Sequence, residues 1–171
     1  MHWRTAYFRQ ALSDYEVFLA LQKLPDIALC HRLHYLQMAT EKMAKGFLTP
    51  PGAGPYDFTH KAFRAFVPVA LANKRIRARL GMSDQYEACR LFLNNTIKPL
   101  AEAVQNLSPE GDPHPNPEYP WLDTTGRVIS PLDYSFQNLT PRANPEMQKL
   151  LYFVEACLDV ARDDITATRQ A

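Results

Sequence analysis

The placement of proline divides this chain into segments that can form helices and one segment that cannot. Half of the fourteen prolines lie between Ser108 and Pro141. Proline has no amide hydrogen and its ring clashes with the preceding turn, so a helix cannot run through that stretch. The stretch is nevertheless rich in large apolar side chains, which include Tyr119, Trp121, Leu122, Val128, Ile129, Leu132, Tyr134 and Phe136. Because disordered segments are poor in such residues, we predict an ordered loop with a short hairpin around Gly126.

Outside this loop, apolar residues recur every three or four positions, which is the spacing of one helix face. Helices are predicted for about Trp3 to Leu24, Asp26 to Leu48, Thr59 to Gly81, Ser83 to Leu107, and from Asn144 and Pro145 onward. The expected buried stripe of the first helix is Phe8, Leu12, Tyr15, Leu19 and the aliphatic part of Gln22. The stripe of the second is Leu29, Leu33, Leu36, Thr40, Met43 and Phe47.

The helix boundaries also carry local signals. Asp26, Thr59 and Ser83 are predicted to cap the second, third and fourth helices, because their side-chain oxygens can accept from free backbone amides. Pro68 and Pro99 are expected to kink or split the third and fourth helices. The pattern predicts one all-α domain over residues 1–171, an up-and-down bundle of four to five helices with the long ordered loop before the last helix.

Composition narrows the classes of function. Nineteen basic and eighteen acidic residues leave a formal charge of +1, so no global field attracts nucleic acid or an anionic membrane. Cys30, Cys89 and Cys157 form no CxxC pair, which favours a reducing, cytoplasmic location and no metal site. The sequence shows neither a signal peptide nor a membrane span, and no cofactor motif. We therefore expect a cytoplasmic protein without a membrane partner, a metal or a cofactor.

A local basic cluster is the best candidate for phosphate binding. It consists of Lys74, Arg75, Arg77 and Arg79, with Arg64 earlier on the same predicted helix. On a helical wheel Arg75 and Arg79 lie together, whereas Arg77 lies roughly opposite. Arg64, Lys74, Arg75 and Arg79 are therefore candidates for contact with nucleic acid. The alternative is a solvated helix end, where cations are favoured by the helix dipole.

The loop offers a second candidate site, for a planar ligand. Tyr119 and Trp121 lie in the segment PNPEYPWLD, and aromatic rings of this kind can stack on a nucleobase. The alternative is that both rings only pin the loop to the helices. The chain has no GxSxG nucleophile motif and no phosphate-binding glycine loop.

The second predicted helix, HRLHYLQMATEKMAKGFL, carries a polar face of His31, His34, Met38, Glu41 and Lys45. A histidine and a glutamate on one face could bind a metal or move a proton. The spacing matches no zinc signature, however, and His34 and Glu41 are separated by two turns, about 10 Å along the helix. A polar helix surface or a subunit contact is the alternative interpretation.

This helix resembles a motif of the HEPN family (higher eukaryotes and prokaryotes nucleotide-binding), His-x-x-Gln-x-Ala-x-Glu-Lys-x-x-Lys-x-x-Leu, followed by Thr-His at the next helix. The matching residues are His34, Gln37, Ala39, Glu41, Lys42, Lys45 and Leu48, then Thr59 and His60. The segment EYPWLD is similar to a Tyr-Pro segment that many members carry between their last helices. The resemblance implies a helical bundle that forms a homodimer and binds a nucleotide, RNA or a partner protein such as a nucleotidyltransferase.

Many members of that family are metal-independent ribonucleases, whose signature is an arginine followed after four to six residues by a histidine. No arginine and histidine of this chain have that order and spacing. The resemblance therefore implies a non-catalytic member with no catalytic residues. The alternative is a ribonuclease of a toxin-antitoxin or defence system with a rearranged pair, in which His60 moves protons and Arg64 holds the phosphate.

Overall fold

The computed structural model describes residues 2–56, 61–107, 115–141 and 144–170. Most of these residues are helical, which confirms the all-α prediction. The helices are α1 (Trp3–Gln22), α2 (Leu29–Leu48), α3 (Ala62–Ala72), α4 (Lys74–Arg79), α5 (Tyr86–Phe92), α6 (Lys98–Gln105) and α7 (Glu146–Gln170). α1 packs most extensively against α2, which in turn packs against α3, and α7 contacts α1 and α4. Within the described ranges, no helix is both long and apolar enough to cross a membrane.

Arg32 closes the turn between α1 and α2, and the cap predicted at Asp26 is wrong. α2 begins only at Leu29, and none of the described side chains caps it. Arg32 Nη2 instead donates to the carbonyl oxygens of Leu24 and Ile27, at 2.8 and 2.7 Å. One guanidinium thus satisfies carbonyl groups in the turn that helix hydrogen bonds do not reach.

The third predicted helix is divided at Asn73 rather than at Pro68. α3 continues through Pro68, which lies inside it. At Asn73 the backbone is extended, and the Asn73 side-chain oxygen accepts from the amides of Arg75 at 3.0 Å and Ile76 at 3.2 Å. An asparagine in this position offers the backbone a cap in place of a continuing helix bond, so a new helix starts there.

The expected irregularity at Pro99 is a change of helix type. A π-helical turn, Leu93–Ile97, connects α5 to α6 directly before Pro99. Proline supplies no amide to the preceding turn, so the regular pattern of helix bonds cannot pass through it unchanged. The predicted cap at Ser83 is wrong, because α5 begins at Tyr86 and none of the described side chains caps its N-terminus. The cap predicted at Thr59 lies outside the described residues.

The core is built on the predicted face of α2 and on a face of α1 that only partly matches the prediction, since Phe8 and Tyr15 of the predicted α1 stripe are buried. Leu33, Leu36, Thr40, Met43 and Phe47 of α2 are all buried, as predicted. In α1 the buried apolar residues are Phe8, Ala11, Tyr15 and Phe18, whereas Leu19 and Gln22 are exposed. Both sets of residues have helical spacing and share Phe8 and Tyr15, and the buried set adds Ala11 and Phe18.

The predicted hairpin around Gly126 is present. β1 (Trp121–Leu122) and β2 (Val128–Ile129) pair antiparallel, with Trp121 opposite Ile129 and Leu122 opposite Val128. Gly126 has a φ of +82°, a left-handed conformation that suits glycine in a tight turn. Asn144 Oδ1 accepts from the amide of Glu146 at 3.1 Å, which confirms the predicted start of the last helix, α7.

Candidate functional site

The polar residues of α2 form ion pairs and hydrogen bonds within the protein. Lys45 Nζ donates to Glu41 Oε1 at 2.7 Å, and Gln37 Nε2 donates to Glu41 Oε2 at 2.8 Å. Glu41 is 8% exposed and Gln37 is 3% exposed. The three residues are four positions apart, so they occupy one side of the helix. This geometry satisfies a buried carboxylate, and it uses both of its oxygens.

Lys42 faces α1 instead. Its Nζ atom donates to Asp14 Oδ2 at 2.6 Å, and Gln10 Nε2 donates to Asp14 Oδ1 at 2.9 Å. Asp14 is only 6% exposed. A buried charge is costly unless it is paired and hydrogen-bonded, so Lys42 and Gln10 compensate the cost of placing Asp14 between α1 and α2.

Replacing Lys42 with methionine should therefore destabilise the protein by about 1–3 kcal/mol, because the Asp14 carboxylate loses its charged partner while staying buried. Urea unfolding measures the change. Lys149→Met serves as the control, since Lys149 pairs with Glu146 on the exposed surface of α7. A second substitution, Asp14→Asn, should recover much of the loss, whereas an unchanged midpoint for Lys42→Met would contradict the structural role of this pair.

His34 lies against the long loop. Its Nδ1 atom is 2.9 Å from Oε1 of Glu118, close enough for an ion pair when the imidazole is protonated. Asn116 Oδ1 accepts from the amides of Glu118 at 2.7 Å and Tyr119 at 3.2 Å, and this turn holds Glu118 in place. The two stretches that carry the family resemblance, the α2 motif and EYPWLD, therefore meet in space. His31, on the same predicted polar face, is exposed.

Two of the four residues of the basic cluster, Arg75 and Arg79, form ion pairs with α7. Arg75 donates through Nη2 to Asp163 Oδ2 at 3.1 Å and through Nη1 to Asp164, and Arg79 Nη2 donates to the same Asp163 oxygen at 3.1 Å. Arg4 Nη2 donates to Asp164 Oδ2 at 2.6 Å. The hydrogen bond from Arg75 lowers the pKa of Asp163 below its ordinary value, and the hydrogen bond from Arg79 adds a smaller effect in the same direction. Arg75 and Arg79 do lie together, as predicted, but their charges tie α4 to α7.

The remaining phosphate-binding candidates are dispersed. Arg64 Nη1 donates to Glu102 Oε1 at 2.9 Å, in an exposed pair between α3 and α6. Lys74 is exposed at the start of α4. His60, the proposed partner of Arg64 in the ribonuclease alternative, lies outside the described residues. In the part of the chain that the structure describes, no three His, Cys, Asp or Glu side chains are grouped to hold a metal.

The two loop aromatics have different surroundings. Trp121 is half-buried, and its ring meets that of Tyr134 edge to face, with centroids 5.2 Å apart. Tyr134 packs in the same way on the buried ring of Phe136, at 4.8 Å. These ring contacts hold the hairpin against the core. For Trp121 this agrees with the alternative interpretation, in which the ring attaches the loop to the helices. Tyr119, in contrast, is 59% exposed.

A cleft of about 680 Å³ opens beside the hairpin. Trp121 and Tyr134 line it together with two aspartates, Asp123 and Asp133. The sequence analysis singled out Trp121 but neither aspartate. The signal that could have found Asp123 is the turn sequence DTTG, in which an aspartate accepts from amides two and four residues later.

The acidic partners of the arginines were likewise missed. The adjacent pair Asp163 and Asp164 in the predicted last helix was an available signal, because two acids on a helix suit a basic cluster elsewhere in the fold. Glu118 directly precedes the Tyr-Pro segment, but only tertiary structure brings it to His34.

Comparisons with known protein families, with curated proteins and with solved structures find no match to this chain.

Proposed function

We propose that this chain is a HEPN-like, non-catalytic binding module, that it forms a homodimer, and that its ligand is a partner protein rather than a nucleic acid. The observation that carries the proposal is an exposed apolar surface around the hairpin. Its most exposed members are Tyr119, Leu122, Val128 and Leu132, with exposed fractions of 59%, 59%, 67% and 65%. Leu122 and Val128 lie opposite each other on the paired strands, and exposed apolar side chains that adjoin at a surface are characteristic of protein interaction sites.

The charges favour a protein partner over RNA. Binding to a nucleic-acid backbone requires lysine and arginine side chains that can approach phosphates. Among the four candidates, Arg64, Arg75 and Arg79 each form an ion pair with a carboxylate of the same chain. Phosphate binding would have to replace these pairs, and the net charge of +1 supplies no long-range attraction to assist it.

The polar residues of the HEPN-like motif also support a non-catalytic role. Gln37, Glu41 and Lys45 bond to one another, and Lys42 bonds to Asp14. Such pairs explain the motif as a structural feature of α1 and α2, which requires no substrate. The homodimer follows from the family resemblance, in which the motif helix belongs to a dimeric fold.

Total RNA incubated with the purified chain should remain intact, and a fluorescent single-stranded RNA should bind only weakly at physiological salt. The physical reason is the ion pairing of the arginines and the absence from the sequence of the arginine-histidine signature. Gel electrophoresis and fluorescence anisotropy measure the two quantities. The matched variant is His60→Ala, which removes the histidine of the ribonuclease alternative.

Specific cleavage that disappears in His60→Ala would overturn the proposal in favour of the ribonuclease. Tight, salt-dependent RNA binding without cleavage would overturn the choice of a protein partner. Sedimentation equilibrium on the same preparation tests the homodimer, and a monomer at micromolar concentration would contradict it.

A further inference from the structure

The walls of the cleft beside the hairpin are aromatic and anchored. The Trp121 and Tyr134 rings are inclined at 80° to each other, and Tyr134 in turn packs on the buried Phe136 at 85°. Ile129, opposite Trp121 in the hairpin, lies on the same side. These contacts fix the rings against the core, so the cleft is formed before any ligand binds. A preformed aromatic wall lowers the entropic cost of binding.

The charges in the cleft are unequal. Asp123 Oδ1 accepts from the amides of Thr125 and Arg127, at 2.8 and 2.9 Å, and from the Thr125 hydroxyl at 2.6 Å. Arg127 Nε lies 3.6 Å from the other Asp123 oxygen and balances this carboxylate. Asp133 is exposed, and its carboxylate forms no ion pair with the described residues. Among the lining residues that the structure describes, two carboxylates and one guanidinium leave one uncompensated negative charge.

We infer that this cleft binds the guanidinium group of an arginine presented by the partner protein, with the plane of the group against the aromatic wall and its N–H groups directed to Asp133. The inference rests on the proposed function, in which the partner is a protein. A guanidinium is planar and weakly hydrated, so it stacks on aromatic rings and forms two parallel bonds to a carboxylate. The negative charge repels phosphate, which disfavours a nucleotide as occupant.

The surroundings of the cleft suit a peptide segment. Leu122 and Val128 lie opposite each other on paired strands, so their exposed side chains share one face of the hairpin. Val128 also lines the cleft. The exposed apolar side chain of Val128 therefore borders a negative, aromatic site, and the matching partner segment is an arginine with an apolar residue beside it.

Intrinsic fluorescence can report on the cleft directly. The chain has two tryptophans, Trp3 and Trp121, so the Trp3→Phe variant leaves Trp121 as the only one. Trp3 is half exposed on α1, which makes this change compatible with folding. Titration with argininamide should change the Trp121 emission saturably, with a Kd on the order of 1 mM for so small a probe. Lysinamide should bind more weakly, and adenosine monophosphate should not bind.

Two charge variants in the Trp3→Phe background separate the contributions. Asp133→Asn should weaken argininamide binding about fivefold, because it removes the uncompensated charge. Arg127→Gln should strengthen binding, because it removes the cation that competes for the cleft. Asp84→Asn is the matched control, since Asp84 is exposed between α4 and α5 and does not line the cleft. Urea midpoints establish that each variant is folded.

Saturable binding of argininamide that weakens in Asp133→Asn and strengthens in Arg127→Gln supports the inference. Equal affinity for argininamide in Asp133→Asn and Asp84→Asn would overturn it, as would preferential binding of adenosine monophosphate. If Asp133→Asn does not fold, Arg127→Gln decides by itself, and an unchanged or weaker affinity would overturn the inference. Lack of argininamide binding by a chain that dimerises and leaves RNA intact would refute this inference alone.

Discussion

Replacing Phe66 with alanine is expected to lower the free energy of unfolding by about 3–5 kcal/mol. Phe66 of α3 is fully buried, and its ring stacks on Phe47 of α2 with centroids 4.8 Å apart and planes 17° apart. Its ring also lies beside that of Phe153 of α7, with centroids 6.2 Å apart. The substitution removes the ring that three helices share, and it leaves a cavity that rigid neighbours fill only in part. Urea unfolding monitored by circular dichroism measures the loss.

The matched control for this prediction is Leu91→Ala. Leu91 of α5 is 49% exposed, so its truncation should change stability by less than about 0.5 kcal/mol. Both variants should retain the slope of the denaturation curve, because neither alters how much surface unfolding exposes. A loss for Phe66→Ala as small as that for Leu91→Ala would mean that the aromatic cluster does not join α2, α3 and α7.

The parts of the fold that were predicted correctly are those with strong local signals. The stripe of α2 repeats over five turns, and the start of α7 has an asparagine followed by a proline. Gly126 in the loop marked the hairpin, because a tight turn there requires a positive φ. In each case the residues that determine the structure lie within a few positions of one another, so no tertiary contact was needed to identify them.

The errors arose where two local signals competed. Proline and asparagine can both interrupt a helix, but α3 continues through Pro68 and ends before Asn73, whose side chain can replace the missing backbone partners. In α1, the predicted stripe named Phe8 and Tyr15 correctly, but Leu12 and Leu19 were chosen in place of Ala11 and Phe18, which are the residues buried beside them. The choice between two apolar faces depends on the neighbouring helix, which the sequence of α1 does not contain.

The candidate site was the least predictable part, because its partners are distant in sequence. Lys42 and Asp14 are 28 residues apart, and Arg75 and Asp163 are 88 apart. A list of basic residues therefore overstated the positive surface, since the carboxylates that neutralise them come from other helices. Trp121 was identified from its residue type, but the charge of its surroundings depends on Asp133 and on the turn at Asp123.

The HEPN-like motif acquires a physical meaning from these pairs. Lys42 of the motif pairs with Asp14 of α1, and Lys45 pairs with Glu41 within α2. The motif histidine, His34, lies against Glu118 of the long loop. The glycine in the same stretch, Gly46, has an equally structural position, because its backbone lies directly against the ring of Phe8 on α1. A test of this helix as a packing element therefore centres on Gly46.

Replacing Gly46 with valine is expected to destabilise the protein by about 3 kcal/mol or more. A Cβ at this position would overlap the Cδ1 and Cε1 atoms of Phe8 and lie 3.2 Å from its Cγ. The Phe8 ring cannot move aside easily, because Phe47 packs on it at 4.8 Å and the Arg4 guanidinium lies 5.3 Å from its centroid. Gly46→Ala should cost less, because alanine regains up to about 1 kcal/mol of helix propensity.

Gly54→Val is the control, since nothing lies within 4 Å of a Cβ built at that loop glycine. The decisive comparison is the double variant with Phe8→Leu. A smaller, more flexible side chain gives the valine room, so the cost of Gly46→Val should fall by more than about 0.5 kcal/mol in that background. Purely additive effects would show that Gly46 does not pack on Phe8. Coupling between them would show that Gly46 packs directly on Phe8 and so allows α1 to approach α2 closely at this point.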